Sequence, residues 1–138
     1  MDRLHRLIEE LGGDEAYPVV PVDLFFEGND DDGSIGPNLD PHPGVRTFER
    51  ILKEIRDRPD VADVVVQVSE VMSEDEWPFV NAAYVITTAP AEEVHRWAEP
   101  LQPDEHFPDD PVDWPDGRPP PGAPDVPEGH HVVTLFWD

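Results

Sequence analysis

The segment Val61-Ala62-Asp63-Val64-Val65-Val66-Gln67-Val68, followed after a short acidic stretch by Phe79-Val80-Asn81-Ala82-Ala83-Tyr84-Val85-Ile86-Thr87-Thr88, decides how this chain reads. Valine fills four of the five positions from 64 to 68, and Tyr84, Val85 and Ile86 centre the second run. β-Branched and aromatic side chains fit a pleated, half-buried surface, so these runs predict two adjacent strands. The connection from Ser73 to Pro78 is polar and reads as their turn.

Outward from this pair, helical spacing appears on both sides. Towards the N-terminus, Val45, Phe48, Leu52 and Ile55 share one face of a helix predicted over about 43–58, which Pro59 ends. Glu49 with Lys53 and Glu54 with Arg58 are acid-before-base pairs one helical turn apart. Towards the C-terminus, Val94, Trp97, Ala98 and Leu101 form a second stripe behind Pro90. Leu4, Leu7, Ile8 and Leu11 form a third over 3–11, stopped by Gly12-Gly13. The stretch Tyr17 to Glu27 reads as a strand with a bulge near Pro21, because Pro18 and Pro21 each lack a ladder donor. His130 to Trp137 reads as the last strand.

After the leading helix the order is therefore strand, helix, strand, strand, helix, strand. That order predicts an α+β, ferredoxin-like βαββαβ two-layer sandwich with strand order 4-1-3-2 and an extra N-terminal helix. Alternation puts Val20, Val22, Leu24, Phe26, Val64, Val66, Val68, Ala82, Tyr84 and Ile86 under the helices. Asp23, Phe25, Val65, Gln67, Asn81, Ala83 and Val85 then fall on a mixed opposite face, which needs a partial cover. The N-terminal helix, the proline-rich segment through Trp114 or a second subunit would supply it.

The chain has 138 residues, a length that fits one domain over 1–138. Residues 102–128 form a long acidic connection within it, with nine prolines and eight acids, too proline-dense for regular structure. The formal charge is −23, and a field of that sign repels nucleic-acid phosphate. No apolar run approaches the roughly 20 residues of a membrane span. Cysteine is absent, so disulfide and thiolate-metal frameworks are excluded. The N-terminal stretch lacks a secretory apolar core, which sets a cytoplasmic expectation.

Several constellations invite chemistry. The loop Gly28 to Gly36 carries Asp30, Asp31 and Asp32, and Asp30 and Asp32 are the candidates there for a divalent cation. The pattern departs from a calcium loop, since with Gly33 as its turn glycine the end ligand positions fall on Gly28 and Leu39. A solvated turn is the plainer account, and no cofactor is predicted. Adjacent His130 and His131 point to opposite faces of a strand, while His42, His95 and His106 lie in separate elements, so no chelating set forms. Ser34, Ser69 and Ser73 lack a nucleophile-elbow context. A polar set of Asp23, Gln67, Asn81 and one of the two terminal histidines on the open sheet face supplies acid–base candidates, Asp23, Asn81 and His131, beside the plainer account of a solvated face. Trp77, Phe107 and Trp114 are candidate partner anchors, although Phe107 and Trp114 have the chain's own sheet as a docking surface too.

The leading expectation is a small non-catalytic, bacterial-type binding or regulatory protein, inhibitor- or immunity-like, acting on a protein partner through its acidic loops or half-exposed sheet. Its acidity reads first as solvation in salt and second as attraction to a basic protein. One alternative is a small-ligand or metal-assisted enzyme on the open sheet face. Another is a salt-adapted structural subunit, for which a sheet-to-sheet homodimer would be the sign.

Overall fold

The computed structural model describes residues 2–39, 41–71, 76–103, 114 and 118–137. Its elements are α1 (Asp2–Glu10), β1 (Val19–Pro21), α2 (Val22–Phe26), α3 (Val45–Arg56), β2 (Val61–Glu70), β3 (Phe79–Thr87), α4 (Ala91–Trp97) and β4 (His131–Phe136). The fold is α+β, with helices packed on an open four-stranded antiparallel sheet.

The valine-rich strands form as expected and make the longest ladder. Val64 opposes Val85, Val65 opposes Tyr84 and Val66 opposes Ala83. The sheet order, however, is β1-β2-β3-β4 rather than 4-1-3-2, and β4 pairs with β3 instead of with β1. The prolines explain it. A central strand needs donors on both sides, and Pro18 precedes while Pro21 ends a β1 of three residues, which confines that strand to an edge. After Pro21 the chain turns into the short helix α2, so Val22 to Phe26 is not strand. Phe25 and Phe26 are then both fully buried in the same core on one side of the sheet, which a strand's alternation would not allow.

The main core lies between the sheet and the helices. Leu4 and Ile8 of α1, Phe48, Leu52 and Ile55 of α3, and Val94 of α4 close on Val64, Val66 and Val68 of β2. On β3 the faces are the reverse of the expected assignment. Ala83 and Val85 meet the helices, while Ala82, Tyr84 and Ile86 lie on the opposite face. Cross-strand partners share a face, so the observed register fixes this swap, and a one-residue slip suffices to produce it.

The opposite face is covered as well. Trp114, only 6% exposed, packs edge-on against Tyr84 at 5.2 Å and joins Val19, Val65 and Val132 in a second cluster. Of the three covers considered, the proline-rich segment supplies Trp114, whereas α1 packs on the main core. Further along, the Val19 amide donates to the Pro121 carbonyl at 2.9 Å, on the side of β1 away from β2. Gly122 holds φ +85°, and a Cβ there would stand 2.5 Å from the Val19 carbonyl oxygen.

Candidate functional site

An open cleft of about 410 Å³ lies where the β2–β3 hairpin, the end of β4 and the loop after Gly36 converge. Its volume falls in the range of small-ligand sites, on the order of 300–1,000 Å³. Pro37 and Asn38 form one wall, Ser69, Glu70, Phe79 and Asn81 the hairpin side, and Phe136 with Trp137 the end of β4.

Local sequence builds each wall. The β2–β3 register shifts between Gln67 and Val68 and again between Val68 and Glu70, irregularities that re-aim the side chains at the strand end. Ser69 donates its hydroxyl to the Phe79 carbonyl at 3.0 Å, which ties the hairpin across that irregular stretch. Ile35, fully buried, makes a parallel bridge to Val80 and pins the acidic loop to β3. The chain then turns at Gly36, φ +60°, where a Cβ would come within 2.9 Å of the Phe48 ring. A glycine is needed to bring Pro37 and Asn38 over the cleft. Behind them, the Trp137 indole N–H donates to the Leu101 carbonyl at 2.8 Å, and its ring meets Phe48 edge-on at 5.2 Å. The Trp137 amide donates to the Asn81 carbonyl at 2.9 Å, which fixes Trp137 beside β3.

Of the expected acid–base set, Asn81 alone lines this cleft. His131 opposes Thr87, about 20 Å along the β3–β4 ladder from Asn81 at roughly 3.3 Å per residue. The His131 ring bonds the Ala89 carbonyl. Asp23 sits on α2 and accepts from Arg56 at 2.7 Å, with Lys53 at 3.7 Å. The Arg56 hydrogen bond holds the Asp23 carboxyl below the ordinary aspartate range, against a smaller opposing effect of burial. Gln67 takes the Tyr84 hydroxyl at 2.6 Å and donates to the Tyr17 carbonyl at 3.0 Å. Burial pushes the Tyr84 phenol up to about 12. The structure thus brings Gln67 and Tyr84 together and keeps Asp23, Asn81 and His131 apart.

The acidic loop is engaged in structural bonds. The Asp32 carboxylate accepts the Val45 amide at 2.9 Å and so serves the first turn of α3. Asp31 accepts from the Gly33 amide, and Asn29, fully buried, donates to Ser34 at 3.0 Å. Asp30 is exposed. Among the described residues no group of three or more histidine or acidic side chains is placed to hold a metal ion. His42 receives the Gly44 amide on Nδ1 and therefore donates from Nε2 to the Ile35 carbonyl, which bolts the loop to the start of α3.

The aromatic anchors fare differently. Trp77 is half-buried against the main core and donates its indole N–H to the Phe25 carbonyl at 2.7 Å. Trp114 docks on the chain's own sheet. Phe107 lies outside the described residues. The cleft residues Asn38, Glu70 and Phe136 were not singled out by sequence. Their only signal was the pairing of a glycine turn with strand ends, which says nothing about convergence.

The family described as "Uncharacterized protein YfbO family" matches residues 1–135. The chain belongs to the YfbO family. Its sequence is 32% identical to the Escherichia coli (strain K12) protein entitled "Uncharacterized protein YfbO", over 143 aligned positions that cover 100% of this chain and 98% of that protein. The alignment with that protein therefore runs through every element from α1 to β4. No solved structure matches the chain.

Proposed function

We propose that this YfbO-family protein is a non-catalytic acidic binding protein that acts on a basic protein partner. The observation that carries the reading is the fate of its cations. Among the described residues, six of the nine pair with the chain's own acids: Arg3, Arg46, Arg50, Lys53, Arg56 and Arg58. On α3, Glu49 takes Arg46 at 2.8 Å and Lys53 at 2.7 Å. Most cations are thus committed internally, and the excess of acids gives a formal charge of −23. A field of that size raises the encounter rate with cationic proteins and discourages anionic ones. The separation of Asp23, Asn81 and His131 weighs against an acid–base site on the sheet. The cysteine-free, acidic composition supports a cytoplasmic setting for this activity.

The test is capture of partners by the immobilised protein from its native host, with salt as the variable. The expected result is retention of basic proteins at low ionic strength and their release towards about 1 M salt, where the screening length falls to about 3 Å. Captured proteins of neutral or acidic character, or basic ones held equally well at high salt, would overturn the reading.

A further inference from the structure

The cleft carries a polar rim that the fold itself does not use. Among the described residues, the side chains of Asn38, Glu70 and Asn81 enter no hydrogen bond or ion pair. Other polar side chains divide in two: Asp23 and Glu49 hold cations, Asp32 holds an amide and Gln67 holds Tyr84, whereas Asp30, Glu92 and Glu99 stand singly in solvent, outside this cleft. The rim thus offers one carboxylate and two amide carbonyls, beside the half-buried rings of Phe79 and Phe136.

We infer that this cleft receives a guanidinium group, the side chain of an arginine on the basic protein partner; this rests on the reading of the chain as a binder of basic proteins. Glu70 and the overall charge exclude an anionic occupant. A purely apolar occupant would cover three polar side chains and pair none of them. An ammonium would satisfy Glu70 as a point charge, yet it has no flat face for the phenyl rings and no fork to span separated acceptors. A guanidinium has both. Its planar face stacks on an aromatic ring, and its five N–H groups reach a carboxylate and amide oxygens at once. A volume of about 410 Å³ exceeds one such group, leaving room for the methylene stem and the adjoining backbone.

The experiment titrates the intact protein with polyarginine and polylysine of equal length, then with N-acetylarginine amide, N-acetylcitrulline amide and agmatine. The inference expects polyarginine to bind about tenfold more tightly than polylysine, citrulline amide to bind at least about tenfold more weakly than arginine amide, and Glu70→Gln to abolish the arginine preference. Glu70 is exposed at a strand end, so this variant keeps the fold, with an unchanged melting temperature as the control. The side-chain amide signals of Asn38 and Asn81 should shift with arginine amide and stay fixed with citrulline amide. Equal affinity for the two polymers, or an arginine preference that survives Glu70→Gln, overturns the cleft assignment and leaves the basic-partner reading standing. Failure of both polymers to bind at low salt overturns that reading. Agmatine binding about tenfold or more above arginine amide would assign the cleft to a free small amine and overturn its protein source.

Discussion

Asp63 and Asp23 sit on neighbouring elements and respond to pH in opposite senses. Burial holds the Asp63 carboxyl above the ordinary aspartate range, in spite of the Val64 amide it accepts at 2.8 Å and the charge of Arg56. Its ionisation therefore opposes folding. The cost is absent below the unfolded value near about 3.9 and is incurred as pH rises through the folded one. Asp63→Asn keeps the Oδ1 acceptor, so it should raise the melting temperature at neutral pH and lose that advantage in acid. Asp23, lowered by Arg56, contributes stability above the unfolded value that disappears as pH falls through the folded one. Asp23→Asn should accordingly cost a few tenths of a kcal/mol and at most about 1 at pH 7, given how exposed the carboxylate is. Thermal melts of both variants across about pH 3–7 check the pair. Parallel curves would refute the two environments. At Gly122 the constraint is steric. Its positive φ and the 2.5 Å approach to the Val19 carbonyl predict that Gly122→Ala destabilises by about 2–4 kcal/mol, measured by denaturant unfolding.

At the scale of elements, α3 depends on a residue outside it. Its N-cap position is Gly44, which has no side chain, and Asp32 reaches across from the acidic loop to accept the Val45 amide. Asp32→Ala should lower stability by about 1 kcal/mol, visible as a lower urea midpoint with an unchanged slope. Asp30→Ala, exposed on the same loop, is the matched control and should change nothing measurable. This contrast also shows what sequence could tell. The periodicities of α1, α3 and α4 and the density of valine in β2 were legible, because burial on one stripe or one face writes itself into spacing. The role of Asp32 was not, since thirteen residues separate donor and acceptor. β1 misled in a different way. Pro18 and Pro21 were visible as missing donors, but the larger consequence, exile from the centre of the sheet, needed the whole ladder to be compared.

For the molecule as a whole, charge dominates. With most cations already paired, the remaining acids repel one another, and the compact state bears that repulsion more than the unfolded one. The melting temperature should rise as NaCl is added to about 0.5 M, and a fall would mean that the α3 ion pairs outweigh the repulsion. The cleft was opaque to sequence at this scale because its walls come from three separated segments, around Asn38, around Glu70 to Asn81, and at Phe136 and Trp137. Only register and chain path bring them together. The contact between Val19 and Pro121 has its own bearing on solubility. Proline accepts a hydrogen bond through its carbonyl but has no N–H to return, so the segment containing Pro119, Pro120 and Pro121 satisfies the border of β1 without presenting a fresh ladder beyond it. Growth of the sheet in that direction ends within a single chain, and a crowded solution of these molecules has no template there on which to build fibres.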